Sequence, residues 1–143
     1  LARIKKKTMN FWLVKSEPDA YSYDKLEAEG RGMWDGVRNY AARNNLRAMK
    51  AGDQVLFYHS NIGMEVVGIC QVAKEHYPDP TAESGDWSAD EGIPVRRIKR
   101  PITLKEIKAT PALANIALIK QSRLSVMPLT GEEFEKILEM SEL

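Results

Sequence analysis

The chain has 143 residues, of which 43% are hydrophobic and 29% are charged, values that are typical of one folded domain and exclude a disordered or fibrous protein. Its 21 basic and 20 acidic residues leave a net charge of +1, which is weak for a protein that grips many phosphates. The longest apolar runs are too short to span a bilayer and no signal peptide is evident, so we expect no membrane contact and a cytoplasmic location in a bacterium, or a nuclear one in a eukaryote.

The start of the chain separates into a short leader and the folded part. Residues 1–8 include the basic run RIKKK and precede the first sign of a strand. We interpret them as a flexible basic leader, and residues 9–143 as a single domain.

The next segment predicts one strand and two helices. Residues 10–15 (NFWLVK) are aromatic and β-branched, as in a strand. Ser22 can cap a short helix that ends at Gly30. Asn39 can cap a longer helix, which places residues 34–38 in the loop before it.

Two β-rich runs follow, at residues 54–59 and 65–76, and the compact turn SNIGM between them predicts a hairpin. Gly68 indicates a bulge or a close backbone approach in the second run. The lone cysteine, Cys70, lies in the same apolar run, where a buried structural thiol is expected. One Cys and two His without ligand spacing predict no metal site.

The second half of the chain predicts a loop at residues 77–87 and a solvent-facing edge strand at 93–100. Capping-box spacings at Thr103 and Thr130 predict helix starts, and a last strand lies between them at residues 123–129. The layout is α+β, with a curled sheet or small barrel.

Common signatures of catalysis are missing. The chain has no Walker loop, no G-x-G-x-x-G, no G-x-S-x-G and no paired-His motif. We therefore expect no catalytic residues and no cofactor.

Polar and aromatic residues instead gather at the ends of the predicted elements, in KSEP, WDGVRN, YHSN and RLS. In a barrel-like fold such ends can meet at one mouth and form a pocket for a planar polar ligand, such as a flipped nucleobase. Ordinary alternatives remain open: Trp34 as a core side chain, Asn39 as a helix cap, and Arg38 and Arg43 on a solvated helix face.

Four segments in this order resemble the EVE domain family: FWLVKSEPDAYSYDKL, MWDGVRNYAARNNLRAMKAGDQVLFYHSN, VVGICQVAKEHYPDPTA and QSRLSVMPLTGEEFEKIL. The resemblance implies a PUA-like fold, that is, a small β-pseudo-barrel with flanking short helices. It also implies a nucleic-acid-binding protein that reads a modified base in DNA or RNA, with no established catalytic step. We expect the protein to be a monomer.

The family's motifs fall on the same element ends. The expected base pocket comprises Ser16, Glu17, Trp34, Val37, Arg38, Asn39, Tyr58, His59, Ser60 and Ser125. The residues expected to contact phosphate or to brace the pocket are Lys15, Arg43 and Arg123.

Two other functions are kept as alternatives. The first is an enzyme on a modified nucleotide or base, with Glu17 or His59 transferring a proton. The second is a protein-interaction module whose pocket is vestigial and which binds its partner through the basic segment at residues 96–100. The chain departs from the family pattern between Glu83 and Arg100. That segment is equally interpreted as a phosphate contact or a solvated edge strand.

Overall fold

The computed structural model describes residues 9–143, so the predicted leader lies outside the described residues. Within residues 9–143 six strands occur: β1 (Phe11–Ser16), β2 (Gly32–Trp34), β3 (Gln54–His59), β4 (Glu65–Pro78), β5 (Ser88–Thr103) and β6 (Val126–Leu129). The helices are α1 (Tyr23–Glu29), α2 (Tyr40–Ala48), α3 (Leu104–Lys108), α4 (Ala117–Lys120) and α5 (Gly131–Ser141), with a 3₁₀ turn at Pro111–Leu113. None of these helices is long and apolar enough to span a membrane.

The strands form one sheet in the order β2, β5, β4, β3, β1 and β6. β1 lies parallel to β3, and the other neighbouring pairs are antiparallel. Short helices lie between β1 and β2, between β2 and β3, and between β5 and β6, so the predicted α+β class is confirmed. The predicted hairpin of β3 and β4 is confirmed as well.

The sheet curls strongly. Helix α2 packs against β4 and β5 and also against β6 at the far end of the strand order. A helix of nine residues reaches both regions only if the sheet bends around it. Residues of β2 and β6, the two outermost strands, also line a common cavity. This curl corresponds to the pseudo-barrel expected from the sequence, and no backbone pairing joins β2 to β6 within the described residues.

Local capping signals define the helix starts. The Ser22 hydroxyl accepts a hydrogen bond from the Lys25 amide at 3.1 Å, and the Asn39 side chain accepts one from the Ala42 amide at 2.9 Å. Both halves of the capping box are present at Thr103 and at Thr130. The predicted helix starts at these four caps are confirmed.

Gly68 shows both features predicted for it. The pairing of β4 shifts register beside Gly68, and a Cβ added there would lie 2.5 Å from atoms of the Tyr23 ring. The Tyr23 hydroxyl donates a 2.8 Å hydrogen bond to the Ile69 carbonyl across this contact. Cys70 is fully buried, and burial raises the pKa of its thiol, as expected of a structural cysteine.

Two predicted boundaries were wrong. Trp34 does not lie in a loop, because residues 32–34 form β2 and pair with residues 90–92 of β5. The strand predicted from residue 93 begins at Ser88, where it already pairs with β4. Three-residue strands and polar strand ends carry too little alternation to be recognised in the sequence.

Candidate functional site

A cavity of about 520 Å³ lies between the two outer edges of the curled sheet. Its lining comes from the end of β1 (residues 14–17), from residues 33–37, and from residues 125–126. Phe57 of β3 contributes an apolar wall. We call this the tryptophan cavity, because Trp34 lies in its wall.

Trp34 is mostly buried, with 8% of its surface exposed. Its ring lies directly over Gly92 of β5, where a Cβ atom would be 2.3 Å from the ring carbon Cζ2. Glycine at position 92 therefore makes room for the indole. Trp34 is both a core side chain and part of the cavity wall, which combines the two interpretations left open by the sequence.

Polar side chains from several parts of the chain line the tryptophan cavity: Lys15, Ser16, Glu17, Tyr21, Asp35 and Ser125. The Ser16 hydroxyl donates a 2.5 Å hydrogen bond to the Tyr21 carbonyl, so its oxygen stays free to accept one. The Lys15 ammonium donates to the Ser122 carbonyl at 2.6 Å, and burial lowers the pKa of Lys15. Glu17 is exposed at the rim.

Asp79 anchors the loop that follows Trp34. Its buried carboxylate accepts hydrogen bonds from the Gly36 amide at 2.8 Å and from the Arg38 guanidinium at 3.0 Å. It also accepts bonds from the amide and the hydroxyl of Thr81, each at 2.7 Å. Burial raises the pKa of Asp79, but these donors outweigh it and hold the pKa at about 2. Asp79 lies in the segment predicted as a loop at residues 77–87, and its Asp-x-Thr sequence is a typical side-chain turn signal.

A second cavity of about 550 Å³ adjoins the first and shares Lys15, Glu17 and Ser125 with it. Lys108 and Arg123 also line this cavity. Within residues 9–143 neither of these two side chains forms an ion pair, so the cavity has three cationic side chains against the carboxylate of Glu17. We call it the basic cavity. Lys108 was not among the residues predicted from the sequence.

The predicted site residues therefore divide over two adjoining cavities. Those in the tryptophan cavity are Lys15, Ser16, Glu17, Trp34, Val37 and Ser125. Those in the basic cavity are Lys15, Glu17, Tyr58, Ser60, Arg123 and Ser125. Arg38, Asn39, Arg43 and His59 line neither cavity.

These four residues have structural partners instead. Asn39 caps α2, and Arg38 binds Asp79. Arg43 donates to the Asp86 carbonyl at 3.1 Å. The His59 imidazole accepts a 3.1 Å hydrogen bond from the Tyr23 amide through Nε2, and burial lowers its pKa although Glu65 opposes that effect. An imidazole held as an acceptor outside both cavities is poorly placed for proton transfer to a ligand.

The basic segment at residues 96–100 is engaged within the molecule. Arg97 pairs with Asp24 and Glu27 of α1, and Arg100 pairs with Glu106 at 2.7 Å. These pairs favour a solvated strand over a phosphate contact. β5 is not an outermost strand of the sheet, but β2 pairs only with its residues 90–92, so within residues 9–143 the segment 96–100 has β4 as a neighbour on one side alone. In the part of the chain that the structure describes, no cluster of three metal-ligating side chains occurs.

Comparison with known proteins places this geometry in a family. The EVE domain model matches residues 10–140. Mouse thymocyte nuclear protein 1 is 40% identical, over 96% of this chain and 76% of its own length. The crystal structure of an Agrobacterium tumefaciens protein is 44% identical with a TM-score of 0.91, covering 94% of both chains.

A structure of human THYN1 protein in complex with DNA containing 5-methylcytosine is 36% identical, with a TM-score of 0.87, and the match covers 94% of this chain and 98% of that one. A YTH domain from Zygosaccharomyces rouxii shares the fold alone, at 16% identity and a TM-score of 0.62 over 96% of this chain and 87% of that one. The match over nearly the whole described chain, together with the shared fold, shows that the protein belongs to the EVE domain family.

Proposed function

We propose that the protein reads a modified base in DNA or RNA by holding that base in the tryptophan cavity. The observation that carries the proposal is a cavity of about 520 Å³, within the range of small-ligand sites, with an indole wall and a fixed hydroxyl acceptor. The human relative bound to DNA containing 5-methylcytosine supports the same class of ligand.

The lining suits a methylated base. Ser16 offers an acceptor to an amino or imino group of the base, because its own hydrogen is already donated to Tyr21. Val14, Phe57 and Val126 offer an apolar surface to a methyl group. Burying one such group is worth about 0.8 kcal/mol, which corresponds to roughly fourfold in affinity.

The basic cavity suits the phosphates next to the bound base. It shares its wall with the tryptophan cavity at Lys15 and Ser125. Lys108 and Arg123 supply further positive charge there. A strand whose base enters the first cavity would pass its backbone along the second.

Binding to matched short oligonucleotides tests the proposal. Fluorescence anisotropy would compare plain cytosine and adenine with their methylated and hydroxymethylated forms, in DNA and in RNA. We expect a preference of about fourfold or more for one modified base. Trp34→Phe and Ser16→Ala should each reduce this preference, because they remove indole surface and the hydroxyl acceptor.

The control variant is Val95→Ala, which shortens an exposed apolar side chain of β5 that lines neither cavity. Thermal unfolding of each variant shows whether the fold is retained. Mass spectrometry of the recovered oligonucleotide is expected to find it unchanged, since reading a base needs no chemical step. Equal affinity of the wild-type protein for modified and plain oligonucleotides would refute the proposal.

A further inference from the structure

A stacked group of aromatic and arginine side chains lies beside the tryptophan cavity. The rings of Tyr40 and Trp87 stack with centroids 5.1 Å apart and planes inclined by 16°. The Arg43 guanidinium lies 4.9 Å from the Tyr40 centroid, and the Arg38 guanidinium lies 5.6 Å from the Trp87 centroid. We call Tyr40, Trp87, Arg38 and Arg43 the aromatic platform.

Asp86 and Gly85 pack against the aromatic platform. Arg43 and Arg47 both reach Asp86, Arg47 with a 2.7 Å ion pair. Gly85 adopts a φ of +90°, and a Cβ there would lie 2.7 Å from the Trp87 indole nitrogen. Only glycine lets the indole lie so close to this turn.

Tyr40 is nevertheless open to solvent, with 66% of its surface exposed. No other tyrosine, and no tryptophan or phenylalanine, in residues 9–143 is as exposed. A tyrosine that served only to fasten the loop to α2 would be covered by that loop. Tyr40 therefore keeps most of its surface open for a further stacking contact while its ring packs against Trp87 and Arg43.

The platform lies next to the mouth of the tryptophan cavity. Asp35 to Val37 line the cavity, and Tyr40 follows Val37 by three residues, or at most roughly 11 Å between Cα atoms. Asp79 binds both the Gly36 amide at the cavity and Arg38 of the platform. The two surfaces are thus parts of one braced unit.

We propose that the aromatic platform stacks an unpaired nucleobase that neighbours the modified base in the same strand. This inference rests on the proposed function and deepens it, because it makes the flanking nucleotide part of the ligand. Stacking on an aromatic face tolerates any base, and arginine adds a cation–π contribution. Asp79 pairs with Arg38 at 3.0 Å and Asp86 lies 4.0 Å from Arg43, so stacking, rather than phosphate attraction, carries the contact.

Tyr40→Ala and single abasic sites together test the inference. The ligands are a short single strand with the preferred modified base and the same strand with an abasic residue on its 5′ or its 3′ side. We expect the abasic residue on one side, or Tyr40→Ala alone, to weaken binding about tenfold. Combining the two should weaken it no further, because both remove the same contact. Tyr40→Phe should keep wild-type affinity.

Tyr40→Ala is expected to fold normally, because Tyr40 is exposed and alanine favours the helix; Val95→Ala is again the matched control. The inference is overturned if Tyr40→Ala binds all three strands as the wild type does, or if its effect and that of the abasic site add. These outcomes leave the preference for a modified base intact. Failure of the proposed function instead shows as equal binding of modified and plain strands by the wild type.

Discussion

Asp90 is a fully buried carboxyl group on β5, directly opposite Trp34 of β2. Neither its oxygens nor the Trp34 indole nitrogen has a hydrogen-bond partner among the described residues. Burial, with a smaller effect of nearby Glu75, raises the pKa of Asp90 from 3.8 to about 7. The charged form of this side chain is therefore costly in the folded state.

This shift predicts a pH dependence of stability. Between pH 3.8 and about 7 the unfolded chain releases the Asp90 proton while the folded protein keeps it, so rising pH favours unfolding. Asp90→Asn removes this effect and should raise the melting temperature by several degrees at pH 8, with little change near pH 4. Thermal unfolding at the two pH values measures it. The exposed Asp19→Asn is the control, and an equal effect of Asp90→Asn at both pH values would contradict the mechanism.

At the scale of elements, the contact of α1 with the sheet depends on Gly68 in β4. The ring of Tyr23 lies where a Cβ of residue 68 would be, and Tyr23 is fully buried and bonded to Ile69. Gly68→Ala should therefore lower the free energy of unfolding by about 1–3 kcal/mol, as measured by chemical denaturation. Gly131→Ala is the matched control, since a Cβ there meets Phe11 only at an ordinary 3.6 Å. A similar loss in both variants would show that the ring contact is not the cause.

The elements that the sequence predicts correctly are those with local signals. The side chains of Ser22 and Asn39 accept hydrogen bonds from amides three residues later, so the capping residue and the helix start that it stabilises lie within four residues of sequence. β2 has only three residues and exists because β5 pairs with it, from a position about sixty residues later. The Asp79 anchor likewise lies 43 residues after Gly36. Contacts between residues so far apart in the sequence cannot be predicted from the local pattern of residue types.

For the whole molecule, the same limit applies to the candidate site. The sequence indicates which element ends carry polar and aromatic side chains. The curl of the sheet determines which of these side chains lie together in one cavity. It places Ser16 and Trp34 at one cavity and Tyr58 and Arg123 at the next. It also leaves Asn39 as a cap outside both cavities. Lys108 joins the basic cavity from a helix that carried no functional signal.

The charge of the whole molecule sets the expected salt dependence. The net charge is +1, and the basic cavity holds the cations Lys15, Lys108 and Arg123. If at most three phosphates are neutralised, log K should fall with log salt concentration with a slope no steeper than about −2 for a single strand. Anisotropy titrations at several salt concentrations measure it. Lys108→Gln should make the slope shallower. Lys99→Gln, on β5, should leave the slope unchanged, because Lys99 pairs with Glu142 and lines neither cavity. A slope much steeper than about −2 would show that the phosphates bind outside the basic cavity.

The pairing of β1 with β6 has a consequence for biosynthesis. β1 is the first strand of the sheet to be made. β3 covers one of its two hydrogen-bonding edges, but the other is covered only by residues 126–129, and Ser125 completes both cavities. This site cannot form on a nascent chain until residues 125–129 have left the ribosome. Until then β1 presents an open edge, on which partly made chains can associate with one another. Ribosome-bound chains that end before residue 125 should therefore be incapable of ligand binding and in need of chaperones.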